Sequence, residues 1–302
     1  MFTDHDILSA RTAKNAVDPT RPYAFLVEPE RTARDRVEDV ATLFLTNREC
    51  PFRCLMCDLW KNTTDARVAV GAIPGQIAYA LERLPPARHI KLYNSGSFFD
   101  HQAVPPEDYE PIARIVAGFE TVIVENHPRL CGDDCRRFRD LLAGDLEVAL
   151  GLETAHEDVL KRLNKQMTLS DFERAVRFLV AHRVRVRAFI LLRPPFLDEQ
   201  EGVEWAIRSM RFAFDVGVAC CVVIPTRAGN GMLELLAARG WFAPPTIDSM
   251  ERVLEAGLRM QRGRVFVDLW DCERFYDSAA CGPPRRDRLH QMNLTQKLLP
   301  PV

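Results

Sequence analysis

The sequence has 302 residues, of which 47% are hydrophobic and 27% are charged, and its formal net charge is −2. This composition is typical of a chain with a packed core, and it excludes an intrinsically disordered protein. The small net charge predicts no general attraction to nucleic acid or to an anionic membrane.

The first predicted element is an N-terminal arm. Residues 1–40 are polar and carry Pro19, Pro22 and Pro29, so we expect an irregular arm before the main domain. After it, short runs rich in Val, Ile and Leu predict strands that are buried on both faces. In chain order the runs are TLFLTN (42–47), HIKLYNS (89–95), TVIVEN (121–126), LEVALGLE (146–153), VRVRAFILL (184–192) and VACCVVIP (218–225), with RVFVDLW (264–270) as a candidate seventh.

Segments with helical periodicity alternate with these strands. They cover 75–84, 108–119, 135–144, 169–183, 199–217 and 246–263. Six strand–helix units in succession predict an α/β fold with a parallel sheet and right-handed crossovers. A doubly wound sheet and a partial (β/α)6 barrel of the TIM type both fit this order. We divide the chain into the arm, a core at 41–235 and a C-terminal extension at 236–302 that closes or caps the barrel.

Polar residues at the carboxyl ends of the predicted strands favour the barrel. They are Asn47, Asn94, Asn126, Glu153, Arg193 and Thr226. A parallel barrel builds its active site at this end of its strands. We therefore predict a partial parallel barrel whose functional site lies at this rim.

The stretch CPFRCLMC places Cys50, Cys54 and Cys57 in the loop after the first predicted strand. Three thiolates on one loop can ligate three irons of a cubane cluster and leave the fourth iron open. A structural zinc site is the alternative, but no fourth ligand with suitable spacing follows nearby. The sequence therefore predicts a 4Fe–4S metal site on these three cysteines.

The other cysteines are less informative. Cys131 and Cys135 have helical spacing, while Cys272 and Cys281 lie in the tail, and both ordinary packing and an auxiliary metal site are open for them. The N-terminal segment is acidic and lacks an apolar core, so we expect no secretory signal. No apolar run approaches the ~20 residues of a membrane span. Nine cysteines in such a chain predict a cytoplasmic protein without a membrane partner.

Several of these stretches resemble one enzyme superfamily. The C-x3-C-x2-C spacing after the first strand resembles the cluster loop of radical S-adenosylmethionine (radical SAM) enzymes. VENHPRL (124–130), GLET (151–154) and LNK (163–165) are most similar to the elongator/methylthiotransferase branch. LYNSGSFFD (92–100) and the tail segment DLWDCERF (268–275) most resemble the archaeosine-synthesis radical SAM protein and its bacterial relatives.

The resemblance implies that SAM (S-adenosyl-L-methionine) binds beside the cluster. It implies that backbone groups of Asn94, Ser95 and Gly96 receive the methionyl amino group of SAM. It also implies that Glu153 contacts SAM, in agreement with the cost of burying a carboxylate without a partner. Arg193 can pair with the SAM carboxylate through its planar fork. The alternative role of Arg193 is to anchor the Pro-Pro turn that follows it.

The resemblance also implies a reaction. A radical SAM enzyme reductively cleaves SAM at its 4Fe–4S cluster to a 5′-deoxyadenosyl radical, which abstracts hydrogen from the substrate. The nearest resemblance implies modification of a 7-deazaguanine nucleoside in tRNA, and a small natural-product or cofactor precursor is the alternative substrate. A reductant protein such as flavodoxin or ferredoxin is the expected electron donor. From a different class, a non-catalytic iron–sulfur or zinc protein on a barrel scaffold stays open.

Overall fold

Eight strands form one sheet in the computed structural model, which describes residues 2–302. The strands lie side by side in chain order, the first pair antiparallel and all later pairs parallel. They are β1 (Ala24–Arg31), β2 (Val37–Phe44), β3 (His89–Tyr93), β4 (Thr121–Asn126), β5 (Asp145–Glu153), β6 (Arg185–Leu192), β7 (Cys220–Pro225) and β8 (Arg264–Val267).

The sheet curls into an incomplete barrel, as a contact across it shows. Glu30 of β1 forms an ion pair with Arg187 of β6, with 2.6 Å between Oε1 and Nη2. The two strands are not neighbours in the sheet, so these side chains can meet only if the sheet bends round on itself. The predicted partial parallel barrel of the TIM type is therefore confirmed.

Helices connect the parallel strands and cover the outer face of the sheet. They are α1 (Asp4–Ser9), α2 (Ala72–Leu81), α3 (Tyr109–Ile115), α4 (Asp133–Leu141), α5 (Glu157–Arg162), α6 (Leu169–Ala181), α7 (Glu199–Val216), α8 (Met232–Ala238), α9 (Ile247–Met260) and α10 (Gly282–Thr295). The longest, α7, begins with a capping box formed by Asp198 and Glu201 and ends at Gly217, whose φ is +108°. Within residues 2–302, no helix is both long and apolar enough to cross a membrane.

The two faces of the curled sheet differ in chemistry. Outward-facing strand residues such as Leu92 and Ile190 are fully buried under the helices in the main apolar core. Alternate positions point to the concave face, and there β3 carries Lys91 and Tyr93 while β6 carries Arg187. The inner face therefore carries both charged and aromatic side chains.

The N-terminal arm differs from the expected irregular segment. Residues Ala24–Arg31 form β1, the antiparallel first strand of the sheet. Its Pro29 and its charged residues concealed the strand in the sequence, but proline is tolerated in an edge strand because no further neighbour needs its N–H. The hairpin also starts β2 at Val37, earlier than the predicted 42–47.

The C-terminal extension contributes to the sheet as well. The candidate seventh strand at 264–270 is confirmed as β8, so seven parallel strands follow β1. The side-chain amide of Asn293 in α10 bonds to both backbone groups of Val267, at 3.0 and 2.8 Å. That of Gln296 does the same for Val265, at 2.8 Å each. These contacts fix α10 along β8.

Candidate active site

The thiol loop follows β2 and carries Cys54 buried, with Cys50 and Cys57 half-buried. Neighbouring segments hold its backbone. The Leu55 N–H donates to the carbonyl of Leu163 at 2.9 Å. The side-chain amide of Asn230 donates to the carbonyls of Leu55 and Cys57, at 2.7 and 3.2 Å. The path of the loop is thus set by the surrounding protein.

Burial controls the protonation of the three thiols. It raises the pKa of Cys50 and of Cys54 to about 11 and that of Cys57 to about 12, and the Lys165 ammonium opposes this shift at each of them. A metal bound by these thiols would therefore displace their protons at pH 7.

The donor set fits an iron–sulfur cluster, because cysteine thiolates are its usual ligands. As the side chains stand, no group of three or more His, Cys, Asp or Glu residues within 2–302 is arranged to hold a metal ion. A cubane cluster binds each thiolate through a different iron, so its ligands need not gather around one ion. The 4Fe–4S site on Cys50, Cys54 and Cys57 stays a prediction.

The turn after β3 lies directly against the thiol loop. A Cβ atom added at Gly96 would lie 3.3 Å from the Cβ of Cys50, so the turn and the loop are in contact. Ser95 has a φ of +54°, and its hydroxyl lies 3.0 Å from the Tyr23 hydroxyl. Asn94 is fully buried, and neither polar atom of its side chain has a hydrogen-bond partner. An unsatisfied buried amide is costly, which favours a polar ligand here.

Glu125, the second-last residue of β4, is a site residue that the sequence analysis did not assign. Its Oε1 accepts the backbone N–H of Asn94 at 2.5 Å and that of Gly96 at 3.4 Å. Burial raises its pKa to about 7, although these N–H donors oppose the shift. A lone glutamate at the end of an apolar strand was the available signal, the same one that singled out Glu153.

The raised pKa of Glu125 predicts a pH-dependent stability. Its folded pKa of about 7 lies above the unfolded value of ~4.3, so its contribution is full below ~pH 4 and is lost as pH rises through 7. Glu125→Gln keeps an acceptor for the turn and removes the titration. The parent should lose up to ~1.4 kcal/mol per pH unit relative to the variant over this range, in urea unfolding. A constant parent–variant difference would contradict the raised pKa.

Glu153 and Lys165 form a buried pair beside the thiols. Lys165 Nζ lies 2.6 Å from Glu153 Oε1. Burial lowers the pKa of Lys165, but Glu153 and then Cys54 more than offset this, so its pKa lies above the ordinary value. Gly151 leaves the space for the pair, since an added Cβ would collide with Glu153 Oε1 and Lys165 Nζ. Glu153 thus has a partner, and Lys165 is a second residue that the sequence analysis did not assign.

Arg193 lies apart from this group. Its guanidinium forms an ion pair with Glu199 and donates to the carbonyl of Pro244 at 2.7 Å. Gly202 allows this close packing, because an added Cβ would lie 2.8 Å from Arg193 Cα. These contacts match the alternative role of an anchor for the following turn. Binding of the SAM carboxylate by Arg193 stays a prediction.

The concave face below the turn is aromatic. Phe44, Tyr93 and Phe189 are half-buried, whereas their outward-facing neighbours are fully buried. The ring centroids of Tyr93 and Phe189 are 6.1 Å apart, and those of Phe44 and Tyr93 are 6.2 Å apart. The arrangement leaves an accessible aromatic surface inside the curled sheet.

A charged layer closes the barrel beneath these rings. Lys91 pairs with Glu30 at 2.5 Å, and Arg187 bridges Glu30 and Glu147 at 2.6 and 2.7 Å. Arg264 contacts Glu147 at 2.8 Å. Because every member has an opposite charge beside it, this charged floor can stay ionised although it is buried.

The remaining cysteines are scattered. Cys272 is buried, Cys281 is exposed, and Cys131 accepts a hydrogen bond from the side chain of Asn126 at 3.4 Å. Cys135 lies on the buried face of α4, in the core. The contacts of Cys131 and Cys135 are those of packed residues.

Two known proteins with sequences similar to this chain come from archaea. No family model matches the sequence. A protein of Methanocaldococcus jannaschii described as uncharacterised is 22% identical over 93% of this chain and 83% of its own length. The archaeosine synthase subunit beta of Thermococcus kodakarensis is 28% identical over 67% of this chain, and the match spans 65% of that protein, less than two thirds.

A solved structure shares the fold of this chain. The structure of Elp3 from Methanocaldococcus infernus superposes with a TM-score of 0.53 and 13% identity, over 74% of this chain and 59% of that one. The resemblance to radical SAM enzymes is confirmed. In this fold, the thiol loop, the turn after β3 and the Glu153–Lys165 pair meet at the carboxyl ends of β2, β3 and β5.

Proposed function

We propose that the protein is a radical SAM enzyme that reductively cleaves SAM to a 5′-deoxyadenosyl radical for hydrogen abstraction. The observation that carries the proposal is the convergence of the thiol loop, the 94–96 turn and the buried Glu153–Lys165 pair. A 4Fe–4S cluster on Cys50, Cys54 and Cys57 would supply the electron that breaks the sulfur–C5′ bond of SAM. The protein would hold SAM and keep water out.

The described residues suit the methionyl end of SAM. Glu125 accepts backbone N–H groups of the 94–96 turn. The backbone carbonyl groups of the turn are therefore left to accept the SAM amino group. Asn94 adds an unsatisfied amide. Lys165 is the cation coupled to the thiols, so we assign the SAM carboxylate to Lys165 and keep Arg193 as the alternative.

The two cations give a direct prediction. Lys165→Met should raise the KM for SAM at least about tenfold, because a charge-assisted hydrogen bond is worth ~1.5–3 kcal/mol. Arg193→Met should change it less than about threefold, since Arg193 lies apart from the thiol loop and is held by Glu199 and Pro244. The measurement is SAM-dependent formation of 5′-deoxyadenosine under excess reductant. The opposite ranking would assign the carboxylate to Arg193.

We propose a planar substrate, with a 7-deazaguanine nucleoside as the first candidate. The half-buried rings of Tyr93, Phe189 and Phe44 support a flat heteroaromatic ring, and so does the similarity to archaeosine synthase subunit beta. A small natural-product or cofactor precursor is the competing substrate. Deuterium transfer from a labelled substrate into 5′-deoxyadenosine would identify the compound whose hydrogen is taken.

An exposed group of aromatic and arginine side chains supports tRNA as the carrier of that nucleoside. Arg162 lies 3.4 Å from the ring centroid of Phe196, and Arg239 lies 5.7 Å from that of Trp241. Trp241 is 46% exposed. An exposed ring and cations of this kind stack on unpaired bases. Binding of tRNA that weakens steeply with salt would support RNA, and its absence would favour a free small molecule.

The proposed function has a direct test. Protein reconstituted anaerobically with iron and sulfide should be brown and should form 5′-deoxyadenosine from SAM with dithionite. A flavodoxin or ferredoxin should replace dithionite, because we propose such a protein as the electron donor. About one zinc per chain with no iron or sulfide would support a zinc scaffold instead. Bound iron and sulfide without any SAM cleavage would indicate a non-catalytic cluster protein.

A further inference from the structure

His127 follows β4 directly and touches the thiol loop. Its side chain is buried, and its ring stacks on Phe52 with 3.6 Å between ring centroids and 15° between the planes. Phe52 lies between Cys50 and Cys54 in the sequence. The imidazole therefore packs against the thiol loop between its first two cysteines.

The same ring reaches the buried lysine. Its Nε2 lies 3.0 Å from the carbonyl oxygen of Lys165, which can only accept, so Nε2 must carry the proton and donate. Its Nδ1 accepts the backbone N–H of Arg129 at 3.2 Å. The backbone N–H of His127 donates to the Ser97 hydroxyl at 3.1 Å. One residue thus contacts the thiol loop, the segment after Gly96 and the backbone of Lys165.

The charge state agrees with these bonds. Burial, followed by the Lys165 ammonium, lowers the pKa of His127 to about 3. The Arg129 cation adds to this effect, and Asp171 opposes it. The imidazole is therefore neutral at pH 7, with one donor and one acceptor, both used.

We propose that His127 is a positioning residue that fixes the thiol loop and Lys165 with separate halves of its ring. Stacking on Phe52 holds the loop, and the Nε2–H bond holds the backbone that presents the Lys165 ammonium. The consequence for SAM binding rests on the proposed function. The stacking on Phe52 and the bond to the Lys165 carbonyl do not rest on it, because both contacts exist in the metal-free protein.

Two variants separate these contacts. His127→Phe keeps a ring for stacking and removes the donor to Lys165. His127→Gln keeps an amide donor and removes the stacked ring. His182→Phe is the matched control, because His182 also lies against a phenylalanine, Phe178, at 4.4 Å and bonds to a backbone carbonyl at 2.8 Å, outside the site.

Two labelling rates in metal-free protein are the readouts, both resolved by mass spectrometry. Iodoacetamide reports on Cys50, Cys54 and Cys57, and acetic anhydride reports on Lys165. We expect His127→Gln to speed thiol alkylation about tenfold, with little change in the acetylation of Lys165. We expect His127→Phe to speed the acetylation of Lys165 about tenfold, with little change in thiol alkylation. A tenfold change corresponds to ~1.4 kcal/mol. His182→Phe should match the parent in both rates.

A purely structural role would behave differently. Both rates would then rise together in both variants, in proportion to a loss of stability in urea, and the proposal would be wrong. Parent-like rates in both variants would overturn it equally. In reconstituted protein, we expect His127→Phe to raise the KM for SAM more than His127→Gln does. If the parent cleaves no SAM, the proposed function fails, while the two labelling rates still decide the role of His127.

Discussion

Replacing Cys54 by alanine is expected to reduce 5′-deoxyadenosine formation by more than about 100-fold and to remove most of the bound iron. Cys54 is the buried thiol of the loop, and the proposed cluster has only three protein ligands. With two thiols left, too few ligands hold the iron. Iron and sulfide content after reconstitution, together with single-turnover SAM cleavage, measure the effect.

The tail provides a control for this variant. Cys281 is exposed and lies in the C-terminal extension, so Cys281→Ala should keep the iron content and the SAM cleavage of the parent. Parent-like cleavage by the Cys54→Ala variant would refute the cluster assignment. Loss of iron in the Cys281→Ala variant instead would indicate that Cys281, in the tail, is a cluster ligand.

The charged floor gives the largest expected effect on folding. Arg187→Met should lower the free energy of unfolding by up to ~3–5 kcal/mol, because it removes the cation shared by two buried carboxylates, Glu30 and Glu147, and leaves each with one cation, Lys91 or Arg264. Urea unfolding measures the loss. Arg177→Met removes an exposed ion pair with Glu173 on α6, and it should cost less than ~1 kcal/mol.

A second substitution checks the cause. Arg187→Lys should lose less stability than Arg187→Met, because it keeps a cation between Glu30 and Glu147. The pH dependence has a defined sign as well. Burial would raise the pKa of Glu147, but Arg187 and Arg264 bring it down to about 2. Its contribution is therefore present above ~pH 4.3 and lost as pH falls towards 2. Equal losses in the Arg187→Met and Arg177→Met variants would show that the floor carries no such stability.

The sequence predicted the parallel part of the fold because strand and helix periodicities alternate clearly there. It missed β1 because this edge strand is not buried on both faces, and its sequence therefore lacks a continuous apolar run. The charged floor was hidden for a related reason. Lys91, Glu147 and Arg187 each interrupt an apolar strand, and only the curl of the sheet reveals that they meet.

Within the site, the polar residues at strand ends could be selected from the sequence. The hydrogen-bond and ion-pair partners of these residues could not. Glu153 was singled out as a buried carboxylate in need of a partner. The structure supplies Lys165, which the sequence did not indicate, while the contact of Glu153 with SAM stays a prediction. Glu125 and His127 lie within a stretch that carried the resemblance. Their contacts with the 94–96 turn and with Phe52 depend on tertiary structure alone.

The side-chain amides of Asn293, in α10, and of Gln296, directly after it, have a consequence for the whole molecule. Asn293 and Gln296 offer β8 the donors and acceptors that a ninth strand would offer. A final strand without such partners is a template to which a strand from another molecule can add. Through two amide side chains, α10 therefore ends the growth of the sheet and protects the protein against self-association at β8.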